Sequence, residues 1–338
     1  TTGASNVAVG ALALDANTTA ANNTAVGYAS LTANTIGFSN TAVGSLCLDA
    51  MVSGDYNTSV GTLSLSGDTT GNKSTAMGYG ALAVQNVTNG ADMFNTAVGY
   101  SSGSAITTGI SNTLIGGQAG DALTDADYNI AVGYNALTAD TLGSRSVAIG
   151  VGTLEAQNFT SATDTYNIAI GHGAGSAVTT GRQNTLIGAL AGDALTDADF
   201  NIAIGKSSLS ADTLGNRSVA IGHSALATQN FTSATDTYNT AVGHGAGNQV
   251  TTGTQNTLIG GLAGDAITTA DDNTAVGYQA LSANTTGGNN VAVGKEALTS
   301  NTTANDNVAI GLQALRVNTT GASNVAIGRD ALEANTTA

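Results

Sequence analysis

The sequence predicts an all-β fold, a parallel β-solenoid of 17-residue coils, and three observations carry that prediction. The phrase Asn-x-Ala-(Val/Ile)-Gly recurs from 19 starting points in constant phase between Asn6 and Asn324. The residues inside the phrase are small or β-branched, and those between phrases are Asn, Asp, Thr, Gly and Ser, the vocabulary of short strands and turns. A unit this short cannot bury its own apolar face, so it becomes stable only by stacking on its copies.

The period itself is structured. Successive starts are 17 residues apart, except that the units opening on Ser74, Ser146 and Ser218 run to 21. Those three serines are themselves 72 residues apart, and two of the long units share the insert QNFTSATDTYN, at Gln157–Asn167 and Gln229–Asn239. A higher-order unit of four coils is therefore laid over the basic one. Helical repeats need units of about 33 residues or more, which this spacing excludes. Strict phase over hundreds of residues excludes a disordered low-complexity tract.

Numbering each unit from its Asn or Ser, positions 2 to 4 read Val-Ala-Val, Thr-Ala-Val, Ile-Ala-Ile or Thr-Leu-Ile, and position 5 is Gly. This is a strand of three or four residues stopped by a turn residue. Positions 8 and 9, commonly Ala-Leu, read as a second short strand patch. Positions 12 to 17 read as turns. Complete absence of Pro suits continuous backbone ladders, since Pro cannot donate to one.

One large side chain per coil is conserved in volume while its attachment point moves. Position 9 is Leu in most coils (Leu31, Leu137, Leu281), and position 12 is then Asn or Asp (Asn34, Asp140, Asn284). At Gly103, Gly120, Gly175, Gly192, Gly247 and Gly264 position 9 is Gly, and position 12 becomes apolar: Ile106, Leu123, Val178, Leu195, Val250 and Ile267. Voids and overpacking both cost about 1–3 kcal/mol, so positions 9 and 12 are expected to share one interior. An imperfect coil carries Cys47, Leu48 and Met51 in the same region. Position 3, nearly always Ala, becomes Leu at Leu114, Leu186 and Leu258. If positions 2 and 4 face inward, position 3 faces outward. An outward face without polar residues implies a cover. A coil of this length has no spare layer, so the expected cover is another copy of the chain, giving a homo-oligomeric fibre.

The phrases NVAIG, NTAVG and NIAIG, each followed by a short Ala-Leu patch, resemble the head repeats of trimeric autotransporter adhesins. The longer form NTAVGYQALSANTTGGN (Asn273–Asn289) also resembles repetitive regions of phage tail-fibre proteins. The likeness spans essentially the whole chain, although the units here are longer than those of the adhesin heads. It implies a left-handed parallel β-roll of three chains, hence a homotrimer. It also implies extracellular attachment, on a bacterial surface or on a virion, to a host-surface glycan or protein.

Composition bounds the remaining classes. Hydrophobic residues make up 41% of the chain and charged residues 9%, unlike disordered chains. Eight Lys and Arg against 23 Asp and Glu leave a formal charge of −15, which repels nucleic-acid phosphates. No apolar run approaches the ~20 residues of a membrane span. Cys47 stands alone and reads as a small buried hydrophobe. Residues 1–338 read as one continuous repeat region, a piece of something longer.

Candidate sites are few. Position 6 carries Tyr28, Tyr79, Tyr100, Tyr134, His172, His223, His244 and Tyr278, with Lys206, Lys295 and Arg329, a solvent-facing row suited to partner contact. His223 and His244 fall in successive coils, close enough to stack, but two His without a third ligand rarely hold a metal. Asp125, Asp127 and Asn129 open like a calcium loop, yet Ile130 stands where its Gly belongs and Ala136 where its Glu belongs. Thr at positions 13 and 14 (Thr18, Thr19; Thr285, Thr286; Thr302, Thr303) raises ice binding, with Leu142, Asp197 and Leu214 interrupting the array. No nucleophile–base set and no phosphate loop is present, so the chain reads as a non-enzyme without cofactor. The function expected is the adhesive or structural repeat of an extracellular fibre. The alternatives are a virion tail-fibre shaft, a purely structural filament, and an ice- or ion-binding solenoid.

Overall fold

Stacking by equivalent residues is what the period demands, and the computed structural model, which describes residues 2–337, shows it coil by coil. The chain divides into two compact units, Thr1–Asn167 and Ile168–Ala338. Among the described residues there is no helix. In the first unit, nine three-residue strands run from Val7–Val9 to Val147–Ile149, each parallel to the strand one coil away. In the second, ten run from Ile168–Ile170 to Val325–Ile327 in the same way. Register follows position without a slip, so that Val26 pairs with Val43 and Val43 with Val60.

Apart from two short pairings beside the inserts, only positions 2 to 4 are strand. The Ala-Leu patch at positions 8 and 9 is a turn, which corrects the expectation of a second strand. Its residues alternate in hand: in the coil of Asn23, Ala29 and Leu31 have φ of +52° and +49°, on either side of Ser30. A left-handed Leu or Ala costs about 1–2 kcal/mol. Here it directs an N–H along the stacking direction, so that Ala29 N–H donates to Ala11 O (2.9 Å) and Leu31 N–H to Cys47 O (3.0 Å). The ladder therefore continues through turns as well as strands, leaving few backbone groups unpaired.

The facing of the strand is the reverse of the expectation. Position 3 points into the coil and is fully buried, as at Ala25, Ala42 and Leu114, while positions 2 and 4 lie outside and are half-buried or exposed. The reason is thickness: a 17-residue lap brings its walls so close that only Ala fits between them. Leu is accommodated where the neighbouring wall has lost its side chain. A Cβ added at Gly103 would lie 2.7 Å from Leu114 Cδ1, and one at Gly120 would lie 2.8 Å from Leu114 Cδ2. Leu186 and Leu258 fill the space beside Gly192, and beside Gly247 and Gly264, in the same way.

Positions 9 and 12 do share this interior, for Leu31, Asn34, Ile106 and Leu123 are all buried. A buried Asn at position 12 is satisfied locally, Asn34 accepting the Gly37 N–H (3.0 Å) and donating to Gly37 O (3.0 Å). In the imperfect coil the Met51 sulfur takes that N–H instead, from Gly54 at 3.2 Å. Cys47 is buried as expected; its thiol donates to Ser59 Oγ (3.0 Å), and burial raises its pKa against the lowering effect of the hydrogen bonds it shares with Ser59 and Ser64.

Candidate functional site

No cavity opens among the described residues, so any recognition belongs to surface rows and to the side chains that position them. The rows are aligned from within by the Asn at position 1. Asn40 is buried, its N–H donating to Asn23 Oδ1 (2.9 Å), its own Oδ1 accepting the Asn57 N–H (2.9 Å), and its Nδ2 donating to Gly54 O (2.7 Å). The repeat thus fixes coil on coil through side chains as well as backbone. The periodicity marked this residue without disclosing its role.

The long coils break that column and replace it. Ser74, Ser146 and Ser218 are too short to reach, and Gln85, Gln157 and Gln229 supply the missing amide. Gln157 Nε2 donates to Ser146 Oγ (2.9 Å) and Asp140 Oδ2 (2.6 Å), and its Oε1 accepts from Asn167 Nδ2 (2.8 Å). The same set recurs at Asp68, Ser74, Gln85 and Asn95, and at Asp212, Ser218, Gln229 and Asn239. Position 12 of the coil before each long one is Asp, because the Gln at position 12 of the long coil needs an acceptor there. Inserts then fold back in part: Phe159 and Phe231 are buried, whereas Asn158 and residues 160–162 stand exposed as a small bump. Each of these two inserts pairs briefly with the coil before it, Thr163–Asp164 with Gly143–Ser144 and Thr235–Asp236 with Gly215–Asn216.

Burial pushes the Asp68 and Asp140 carboxyls above their ordinary range, against the lowering pull of the Gln85 amide on Asp68 and of the Phe159 N–H and Gln157 amide on Asp140. A folded-state pKa above the unfolded one means that the contribution of these groups is fully present below the unfolded pKa and is lost as pH rises through the folded one. In urea denaturation, Asp140→Asn is expected to shrink the stability difference between pH 4 and pH 7. At pH 4 it is expected to cost about 1–3 kcal/mol, because the Gln157 amide loses its acceptor. An unchanged pH difference would remove Asp140 from the account.

The position-6 row is exposed throughout: Tyr28, Tyr79, Tyr100, Tyr134, His172, His223, His244 and Tyr278 all stand in solvent. Tyr79 and Tyr100 stack at 5.6 Å, and His223 and His244 stack at 5.2 Å, as their successive coils predict. No group of three or more His, Cys, Asp or Glu able to hold a metal occurs among the described residues. The calcium candidates are engaged elsewhere. Asp125 accepts from Thr108 Oγ1 (2.5 Å) and Asp127 from the Ile110 N–H (2.8 Å), while Asn129 is buried in the Asn column with its Oδ1 on the Ser146 N–H (2.9 Å). The threonines of position 13 donate to the next coil, Thr285 Oγ1 to Thr302 O (2.9 Å) and Thr302 Oγ1 to Thr319 O (3.2 Å), so their hydroxyls extend the ladder.

A second exposed row was missed. Through the middle of the chain the last residue of the coil is aromatic or cationic, except at Ser111 and Gln183: Tyr56, Lys73, Phe94, then Tyr128, Arg145, Tyr166, and in the second unit Phe200, Arg217, Tyr238. Lys73 lies over the Phe94 ring, Arg145 over Tyr128 and Arg217 over Phe200, at 5.2, 4.8 and 4.8 Å. Each cation also pairs with an insert carboxylate: Lys73 with Asp92, Arg145 with Asp164 and Arg217 with Asp236. The signal was present in the sequence, since these residues immediately precede the repeating Asn or Ser. No protein-family profile and no curated protein sequence matches the chain. No helix among the described residues is long and apolar enough to cross a membrane.

Proposed function

We propose that the chain is the repeating part of an extracellular attachment fibre, in which parallel copies associate through the outward face of positions 2 and 4. The observation that carries this reading is the composition of that face. Throughout both units it holds only Val, Ile, Thr and a single Met, Met77, with no charged side chain at either position. In the first unit alone, nine strands of ~7 Å laid ~4.8 Å apart present on the order of 300 Å² in projection. That is the size of the largest apolar patch on an ordinary monomer, and such patches are commonly interaction sites. The cover first expected over position 3 is thus wanted one residue to either side. Three copies is the number that the resemblance to adhesin heads suggests. Placement on a cell surface or a virion, and the role in attachment, rest on that resemblance and on the exposed aromatic rows.

The assembly step is open to a direct test. Sedimentation velocity is expected to give three chain masses for the wild type and one for the Val26→Lys, Val43→Lys, Val60→Lys triple variant. Its new side chains lie outside the coil, so its circular dichroism should be unchanged. A wild type that stays monomeric at tens of micromolar, or a triple variant that still assembles, would defeat the interface. Attachment is tested separately, by binding of the labelled chain to intact cells.

A further inference from the structure

Within the two units, aromatic side chains stand two coils apart in the last-position row at four places, and three of the gaps are filled by the chain itself. Lys73 stands between Tyr56 and Phe94, Arg145 between Tyr128 and Tyr166, and Arg217 between Phe200 and Tyr238. The fourth gap lies between Phe94 and Tyr128, and the coil between them offers only Ser111. Ladder bonds from Ser111 N–H to Met93 O (2.7 Å) and from Tyr128 N–H to Ile110 O (3.0 Å) hold the three in successive coils. Lys73 comes from the coil before Phe94 and Arg145 from the coil after Tyr128, so each covers the ring face turned away from Ser111. The inner faces are left to solvent, Phe94 being 53% and Tyr128 46% exposed.

Size and charge define what fits. Two coil spacings separate the walls by ~9.6 Å. Where aromatics occupy adjacent coils, as Tyr79 and Tyr100 do at 5.6 Å, they close on each other and leave no room. The filled gaps show the preferred occupant: the Arg145 guanidinium sits 4.8 Å from the Tyr128 ring, half of the two-coil separation. Cations are attracted to ring faces at about this distance. Carboxylates add negative charge nearby: of the five Asp in residues 74–144, Asp92 is paired with Lys73 and Asp140 is buried, whereas Asp121, Asp125 and Asp127 form no ion pair among the described residues. Half-buried Asp127 adjoins Tyr128, and exposed Asp125 lies three residues before that ring. In the filled gaps an Asp two residues before an aromatic pairs with the cation, as in Lys73–Asp92 (2.7 Å) and Arg145–Asp164 (2.9 Å).

We infer that the slot formed by Phe94, Ser111 and Tyr128 binds a basic side chain of a partner protein, with arginine the best fit. The slot gives the attachment reading a partner chemistry and rests on that reading for its biological role, but its occupancy is measured on the full chain in solution. The probe is an acetylated, amidated Gly-Arg-Gly peptide, with the neutral citrulline peptide as its isosteric control, followed by the ring resonances of Phe94 and Tyr128. The arginine peptide is expected to shift both rings with a millimolar Kd, and the citrulline peptide to bind at least tenfold more weakly. Phe94→Ala and Tyr128→Ala should each weaken binding tenfold or more, while Tyr134→Ala leaves it unchanged. Ser111→Arg is expected to fill the slot from within, abolishing binding and raising Tm, a readout that a misfolded variant cannot imitate. Equal binding of the citrulline peptide, retained binding in Ser111→Arg, or no shift with any peptide would overturn the inference. So would ring shifts with maltotriose and none with arginine, which would assign the slot to a saccharide. None of these outcomes touches the sedimentation result or cell binding, so failure of the slot and failure of the attachment reading are distinguishable.

Discussion

Truncating Leu114 to Ala is expected to cost about 3–5 kcal/mol, a large loss for a single side chain in so thin a fold. Leu114 is fully buried and fills the space left by two glycines, Gly103 in the preceding coil and Gly120 in its own. Removing its isopropyl group leaves a cavity that neither glycine can line. Introducing Leu at Gly120 alone is expected to cost about 1–3 kcal/mol by overpacking. Its β-carbon would meet Leu114 and Leu123, although Leu occupies the same left-handed backbone in other coils, as at Leu31 and Leu137. Combining Leu114→Ala with Gly103→Leu, Ile106→Asn, Gly120→Leu and Leu123→Asn restores the arrangement of ordinary coils. That five-residue variant is expected to fall within about 1.5 kcal/mol of wild type, the range of volume-conserving swaps. Urea denaturation followed by circular dichroism supplies the comparison. Should the combined variant lose as much as the single changes summed, the residues would be independent and the shared-volume account would fail.

That exchange also shows where the sequence could be read and where it could not. The period was legible because the Asn at position 1 and the Gly at position 5 do jobs that few other residues can do. The trade between positions 9 and 12 was legible because volume in a closed interior must be conserved. The direction of the strand was not, because larger side chains ordinarily lie inside, and in this coil the walls are too close for anything but Ala. Leu114 then looked like a change on an outer face, whereas it fills a place where the inner wall has been thinned by glycine. The turn at positions 7 to 9 was misread for a related reason. Left-handed backbone is usually signalled by Gly or Asn, and here Leu12, Leu14, Ala29 and Leu31 adopt it under the constraint of the ladder. Of the surface rows, position 6 was found by its aromatics. The last-position row was overlooked because its aromatic residues alternate with cations, and the alternation acquires meaning only when the coils are stacked.

The glycine at position 5 carries the other large effect, and one substitution pair isolates it. Gly44 has φ of +146°, and a β-carbon there would lie 2.5 Å from the Gly61 carbonyl oxygen and 2.6 Å from its carbon. Backbone cannot move aside as a flexible side chain would, so Gly44→Ala is expected to cost about 3 kcal/mol or more, combining a strained dihedral with a clash. Gly80, at position 7, also has positive φ (+64°), but the nearest atom to an added β-carbon is Ser101 Oγ at 3.9 Å. Ala29, Leu46 and Ser101 already occupy that column with φ between +51° and +53°. Gly80→Ala is therefore expected to cost only the dihedral strain, about 1–2 kcal/mol. Hydrogen exchange locates the difference. Each coil leans only on its neighbours, so Gly44→Ala should lower protection in the coils of Asn23, Asn40 and Asn57 and spare that of Asn112. The same pair bears on the proposed interface, because the position-5 glycine is where the chain leaves the outward strand face. Forcing coils apart at Gly44 would break the alignment of Val26, Val43 and Val60, and assembly should weaken together with stability. Equal losses at Gly44 and Gly80 would mean that dihedral strain alone matters, and that close stacking of backbone on backbone does not hold the coils in register.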